Sequence, residues 1–133
     1  MSDDAYERGM RIRREVLGGT HVDRAAARSD PFDAPFQELI TRYCWGDVWG
    51  RETLSRRERS LINLAMLTAL NRPDEFKLHV RGAINNGLTV EDIREVLLQA
   101  AIYCGVPAAN AAFHQARDVL RELGVEPAET EQS

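Results

Sequence analysis

The segment that most constrains the fold runs from Arg56 to Leu70, because its second half is apolar on nearly every side of a helix. Ser55 and Glu58 precede the apolar run with the S-x-x-E spacing of a capping box, which predicts that a helix starts there. The apolar positions that follow are Leu61, Ile62, Leu64, Ala65, Met66, Leu67, Ala69 and Leu70. Such a helix has to be buried on all sides. A chain of 133 residues covers it poorly alone, so the pattern predicts a homo-oligomer.

The rest of the chain also favours helix. No segment alternates polar and apolar residues as a half-buried strand would, and the apolar residues recur at helical spacing. Capping residues mark the ends, notably Thr89 with Asp92 at one start and Gly124 at the last end. The predicted helices span residues 3–17, 34–44, 56–70, 73–86, 89–104 and 107–123. The fold class is therefore all-α, a bundle of about six helices joined by short loops.

Two stretches of the first half predict irregular structure. Residues 18–33 are polar and carry turn chemistry at Ser29-Asp30-Pro31, which indicates a connection. The short helix before the second stretch is expected to stop near Gly46. The second stretch, YCWGDVWGRETLS, contains two tryptophans and two glycines, and we expect it either to plug a core or to line a pocket.

Size and composition exclude several classes of protein. The length favours one domain, which we place at residues 1–124, with a frayed tail at 125–133. A net charge of −4 without a basic block argues against nucleic acid as a partner. Short apolar runs and a charged start predict no membrane segment, no signal peptide and a cytoplasmic location. Cys44 and Cys104 have apolar or aromatic neighbours and are predicted to be buried thiols.

Glu75 and His79 form the most suggestive pair, four residues apart on the helix of residues 73–86. On a helical wheel Glu75, His79, Gly82 and Asn86 make a row along one edge of the apolar stripe, and Gly82 is expected to leave space beside the imidazole. The pair is either a surface contact worth a few tenths of a kcal/mol or a proton-transfer site whose carboxylate fixes the imidazole tautomer. Spacing alone favours the surface contact.

The remaining histidines predict little chemistry. His114 lies opposite the apolar stripe of the last helix and is expected to be solvated, and His21 is expected in a loop as a capping or surface residue. Scattered histidines without a cysteine cluster argue against a metal site, and no glycine-rich phosphate loop is present.

Two stretches carry a resemblance to a known family: WGDVWGRETLSRRERSLINLAMLTAL and DEFKLHVRGAINNGLTVEDIREVLLQAAIYCGVPAAN. Their specific parts are the spacing E-x-x-x-H-x-x-x-A-x-x-x-G, from Glu75 to Gly87, and the segment 103–110. From about Tyr6 to Leu123 the chain resembles the carboxymuconolactone decarboxylase family, in particular its stand-alone members of the protocatechuate pathway. The resemblance implies an alkylhydroperoxidase D-like helical bundle, assembled as a hexamer from dimers or trimers.

The activity that the resemblance implies is loss of CO2 from 4-carboxymuconolactone, which gives the enol-lactone of 3-oxoadipate in the β-ketoadipate pathway without a cofactor. In this scheme His79 donates the proton or stabilises the dienolate, and Glu75 orients it. Arginine binds carboxylates through two parallel hydrogen bonds, so carboxylate recognition is expected from the chain's suitably placed arginines. The expected substrate-binding residues are Arg51, Arg72, Trp45, Trp49 and Tyr103.

Three alternatives remain open. A redox or peroxide-defence protein on the same fold would need the C-x-x-C-x-x-x-H motif of the redox branch, and alignment on His79 puts Arg72 and Glu75 at its cysteine positions. Thiol peroxidase activity is therefore not expected. A decarboxylase or isomerase of another small acid, and a non-catalytic helical oligomer, are the other two.

Overall fold

The computed structural model describes residues 4–125, which form seven α-helices and one π-helical segment without a strand in that range. The predicted all-α class is confirmed. The elements are α1 (Asp4–Leu17), α2 (Gly19–Arg28), α3 (Ala34–Leu39), the π segment (Ile40–Val48), α4 (Arg56–Leu70), α5 (Pro73–Asn85), α6 (Val90–Tyr103) and α7 (Val106–Leu123). None of these helices is both long enough and apolar enough to cross a bilayer.

The chain divides at Arg56 into two compact units, which we name the first unit (residues 4–56) and the second unit (residues 57–125). The expectation of one domain over residues 1–124 stays a prediction. The predicted frayed tail lies outside the described residues apart from Val125, whose backbone N–H donates to the Leu120 carbonyl oxygen over 2.9 Å.

The first unit departs from the predictions at residues 18–33, where α2 replaces the expected connection. Only Val22 of α2 is buried, and the other apolar residues of the helix are alanines, so its helical periodicity is weak in the sequence. His21 accordingly lies half-buried in a helix and not in a loop. The turn predicted at Ser29-Asp30-Pro31 is confirmed, since the Asp30 carboxylate accepts from the backbone N–H of Phe32 over 2.9 Å.

The predicted helix stop near Gly46 is wrong, because the π segment continues to Val48. The glycine serves a close approach of two backbones. A Cβ atom at Gly46 would overlap the carbonyl oxygen of Ala5 in α1, and one at Gly9 would overlap the carbonyl oxygen of Thr41. Helix α1 and the π segment therefore pack with almost nothing between their backbones.

The aromatic stretch plugs the core of the first unit with its two tryptophans. Trp45 and Trp49 are 4% and 6% exposed, and their stacked rings have centroids 4.9 Å apart. The neighbouring Cys44 is exposed, so the prediction of a buried thiol is wrong there, and Cys104 is half-buried. Adjacent helical positions face different directions, and the tryptophans that suggested burial face inward while Cys44 faces out.

The second unit is built as the periodicity predicts. Phe76, Val80 and Ala83 of α5 are fully buried and join side chains from α4, α6 and α7 in one core. The capping box at the start of α6 is confirmed: the Thr89 backbone N–H donates to the Asp92 carboxylate over 2.9 Å, and the Asp92 N–H donates to the Thr89 hydroxyl over 3.1 Å. Helix α7 begins at Val106 and ends at Gly124 in the left-handed conformation.

Helix α4 is buried along one face only within the second unit. Ser60, Leu64 and Thr68 are buried, whereas Ile62, Met66 and Leu70 are 44%, 48% and 62% exposed. Burial on all sides is thus not reached inside one chain. The helix starts at Arg56 as predicted, while the Ser55–Glu58 capping box and the homo-oligomer stay predictions.

Candidate active site

His79 lies where the helical wheel places it, at a contact between two helices. Its side chain is 7% exposed, and the Asn63 amide nitrogen of α4 lies 3.5 Å from its Nδ1 atom. On the same edge, the Asn86 amide donates to the Ser60 hydroxyl over 2.9 Å. These four residues form a polar seam between α4 and α5. The predicted position at the edge of the apolar stripe is confirmed for His79, Gly82 and Asn86, while Glu75 of the same row is exposed.

The contact with Asn63 bears on the orientation of the His79 imidazole. Which of the two side chains donates across this contact depends on the tautomer of the imidazole and on the orientation of the amide. The distance is at the upper limit for a hydrogen bond. A buried imidazole beside a polar partner has little rotational freedom, and such a ring can act on a bound anion as an acid or a hydrogen-bond donor.

Glu75 does not reach this imidazole. Its side chain is exposed in the first turn of α5, and no described residue makes a hydrogen bond or ion pair with it. No hydrogen bond or ion pair therefore joins Glu75 to His79, and the roles expected for the two residues stay predictions. The amide of Asn63 is one polar group that lies beside His79.

Arg72 and Tyr103 lie at the surface of the second unit. Arg72 is exposed at the N-cap of α5, and its side chain makes no capping hydrogen bond. Tyr103, at the end of α6, is 83% exposed and lines a groove of about 560 Å³ between α4 and α6 together with Ile62 and Cys104.

The first unit brings two of the predicted residues together. Trp49 and Arg51 line a cavity of about 360 Å³ in company with Arg8, Arg11 and Arg56, and we name it the arginine cavity. Trp45 stacks behind Trp49. This combination of guanidinium groups with an apolar aromatic wall is suited to a small organic anion.

Two arginines of the cavity are already bound by acids. Arg8 donates to the Gly46 carbonyl oxygen over 3.0 Å and pairs with Asp47 over 3.4 Å, and Arg56 pairs with Glu15 over 2.8 Å. Arg11 is exposed and makes no hydrogen bond or ion pair with a described residue. Arg11 is thus available to a ligand.

Sequence reasoning missed Asn63 and Arg11. Asn63 had a detectable signal, since an amide inside the apolar run of α4 requires a polar partner. Arg11 had no such signal in the sequence, because the many charges of α1 are typical of a solvent-exposed face. His114 is exposed as predicted. Within residues 4–125 no three His, Cys, Asp or Glu side chains are grouped so that they could hold a metal ion.

The predicted site residues thus fall into three groups. His79 belongs to the polar seam of the second unit, and Glu75, Arg72 and Tyr103 are exposed on that unit. The others, Trp45, Trp49 and Arg51, belong to the first unit.

The chain is similar in sequence to several decarboxylases. It is 43% identical over 128 residues, 96% of each chain, to the 4-carboxymuconolactone decarboxylase of Acinetobacter baylyi. It is 41% identical over 118 residues, 89% of this chain and 82% of the relative, to the nitrosuccinic acid decarboxylase of Metarhizium robertsii. A 4-carboxymuconolactone decarboxylase of Pseudomonas putida matches at 50% identity over 42 residues, 32% of this chain and 88% of the relative.

A family model agrees with these similarities. The model of the carboxymuconolactone decarboxylase family matches residues 34–118, which include the π segment, the polar seam and most of α7. This match covers more than half of the chain, and the similarity to the Acinetobacter protein runs nearly its full length. The chain belongs to the carboxymuconolactone decarboxylase family.

Proposed function

We propose that this chain is a carboxy-lyase that converts 4-carboxymuconolactone to 3-oxoadipate enol-lactone and CO2 without a cofactor, in the protocatechuate branch of the β-ketoadipate pathway. The observation that carries the proposal is the 43% identity over 96% of both chains to a 4-carboxymuconolactone decarboxylase. The aligned region includes the residues of both the polar seam and the arginine cavity.

The chemistry needs no external electron sink. When the carboxylate on the γ-carbon leaves as CO2, the electron pair of the broken C–C bond delocalises through the unsaturated ring onto the lactone carbonyl oxygen. A proton then returns to the carbon α to that carbonyl. The protein has to hold the carboxylates, stabilise the dienolate oxygen and deliver the proton.

His79 is proposed to deliver the proton or to stabilise the dienolate. Its burial and its contact with Asn63 support this role, because a fixed imidazole loses little freedom when the substrate reacts. Glu75 is proposed to support His79. Since no described residue binds its carboxylate, that support would come from its charge or from an arrangement formed with substrate.

Carboxylate recognition is proposed for Arg51 and Arg72. Arg51 has the stronger support, because it shares the arginine cavity with the apolar face of Trp49. Trp45 holds Trp49 by stacking, and Tyr103 is proposed as a further apolar contact. An apolar wall beside the departing carboxylate would favour neutral CO2.

The test is loss of 4-carboxymuconolactone, followed with the native protein, His79→Ala and the matched control His114→Ala. Removal of a general acid is expected to lower kcat by about 100-fold to 10,000-fold. His114 is exposed, so its substitution should leave turnover unchanged. Full activity of His79→Ala would remove this residue from the mechanism, and inactivity of the native protein would refute the substrate assignment.

A second candidate function is decarboxylation of a different small acid. The 41% identity to a nitrosuccinic acid decarboxylase favours it, because a nitro group, like the lactone carbonyl, can accept an electron pair from a neighbouring carbon. Comparing kcat/KM for the two acids on one enzyme preparation distinguishes the candidates. A higher value for nitrosuccinate would replace the first proposal.

The enzyme is proposed to act in the cytoplasm as a homo-oligomer, a hexamer by resemblance to its family. The exposed apolar face of α4, with Ile62, Met66 and Leu70, supports association between copies. Sedimentation equilibrium tests the state, and a monomer at micromolar concentration would contradict it. Met66→Glu should shift a genuine oligomer toward smaller species, while Ala27→Glu, which adds the same charge at an exposed position of α2, serves as a control.

A further inference from the structure

A second basic cavity lies between α6 and α7, apart from every residue assigned above. It has a volume of about 250 Å³. Its floor is apolar and formed by core residues of both helices, among them Ile93, Leu97 and Leu120, and Phe113 contributes an aromatic wall. We name it the α6–α7 cavity.

Three guanidinium groups surround this apolar floor. Arg94 of α6 and the pair Arg117 and Arg121 of α7 line the cavity and are exposed. None of the three makes a hydrogen bond or ion pair with a described residue. No direct ion pair within residues 4–125 therefore competes with a ligand for these guanidinium groups.

The nearest acids of α7 are engaged elsewhere. Asp118 pairs with Lys77 of α5 at 3.9 Å, and Glu122 pairs with Arg81 of α5. Because both acids are directed to α5, they do not neutralise the guanidinium groups beside them in sequence. A chain with a net charge of −4 thus keeps a local positive cluster over an apolar cavity.

We propose that the α6–α7 cavity binds a single-ring aromatic carboxylate. The ring would occupy the apolar floor against Phe113, and the carboxylate would meet the arginines at the mouth, where a guanidinium forms two parallel hydrogen bonds. The volume limits the ligand, since it lies below the roughly 300 Å³ at which pockets for drug-sized molecules begin. The site is separate from the polar seam and the arginine cavity, with which it shares no residue.

The probe is 4-fluorobenzoate, titrated with the full chain and followed by fluorine NMR. We expect a saturable shift, and about tenfold weaker binding in Arg117→Gln/Arg121→Gln, because the charge-assisted hydrogen bonds are lost. The neutral isostere 4-fluorobenzamide should bind the native protein more weakly by a similar factor. The matched control is Arg24→Gln/Arg28→Gln, an exposed pair with the same spacing on α2 that should leave binding unchanged.

Three results would overturn the site. Absence of a saturable shift at millimolar probe would show that no such ligand binds. Equal affinity of the native protein and the Arg117→Gln/Arg121→Gln variant would show that these arginines do not hold the carboxylate. Loss of binding in His79→Ala or Arg51→Gln, with binding kept in the Arg117→Gln/Arg121→Gln variant, would place the aromatic acid in the proposed catalytic machinery.

Discussion

Each of the two compact units is stabilised internally by a different kind of contact. In the first unit α1 and the π segment meet backbone to backbone at Gly9 and Gly46, where added atoms would collide. In the second unit large side chains such as Phe76 and Leu64 fill a shared core. The first arrangement should tolerate no additional atom at the contact, and the second should tolerate no loss of atoms. Substitutions of opposite kind therefore test the two units.

The largest effect is expected from Phe76→Ala in the second unit. Phe76 is 1% exposed, and removal of its ring leaves a cavity that should lower the free energy of unfolding by about 3–5 kcal/mol. Urea denaturation measures the change. Phe32→Ala is the matched control, because the same ring is 94% exposed there and its loss should cost less than about 0.5 kcal/mol. Equal effects of both substitutions would contradict a side-chain core.

The first unit should respond to the addition of one methyl group. Gly46→Ala places a Cβ atom against the Ala5 carbonyl oxygen, so α1 has to move and the free energy of unfolding should fall by about 1–3 kcal/mol. In Gly19→Ala the nearest atom belongs to the flexible Arg14 side chain, 2.9 Å away, which can shift. That control should cost much less than Gly46→Ala, because only the exposed Arg14–Asp23 ion pair has to adjust. A neutral Gly46→Ala would show that the backbone contact is not tight.

The same difference explains which parts of the fold the sequence predicts. Side-chain packing leaves a periodic apolar pattern, and the positions of α5, α6 and α7 follow from it within a residue or two. Backbone packing at Gly9 and Gly46 leaves no such pattern. A π turn shifts the inward positions away from the α-helical wheel, so the helix appeared to stop at Gly46 when it continues to Val48.

For the candidate site, too, the sequence predicts positions within one helix but not contacts between distant segments. The wheel of α5 places His79 at a helix contact, because its row and the apolar stripe share one periodicity. It cannot reveal that Asn63, from another helix, lies beside His79, since contacts between helices depend on their packing. The arginine cavity is built from residues of α1 and of the segment after the π turns, and no local spacing joins Arg11 to Arg51.

A kinetic comparison separates the roles of the two units. Arg51→Gln removes a guanidinium that we propose binds a substrate carboxylate, and we expect KM to rise about tenfold with kcat nearly kept. The exposed Arg28→Gln on α2 is the control and should leave both constants unchanged. Steady-state kinetics with 4-carboxymuconolactone provides the measurement. A fall in kcat without a change in KM would assign Arg51 to the chemical step instead of to binding.

The smallest effect concerns two exposed carboxylates, one in each unit. In the second unit the Thr89 backbone N–H, with help from the Thr89 hydroxyl and Arg57, lowers the pKa of Asp92. In the first unit the Arg14 guanidinium, bound over 2.8 Å, lowers the pKa of Asp23.

A lowered pKa means that each ionised carboxylate stabilises the fold above the unfolded-state pKa of about 4, and that this contribution is lost as pH falls through the folded-state pKa. In urea denaturation at pH 7, Asp92→Asn and Asp23→Asn should therefore have a lower free energy of unfolding than the native protein. At acidic pH the free energies of unfolding of the variants and the native protein should converge. Salt screens an exposed ion pair more than a cap whose main donor is a backbone N–H. At about 0.5 M NaCl the screening length is only a few ångströms. There the effect of Asp23→Asn on the free energy of unfolding should shrink more than the effect of Asp92→Asn. Equal shrinkage would mean that the Arg57 ion pair, and not the backbone cap, gives Asp92 its stabilising effect.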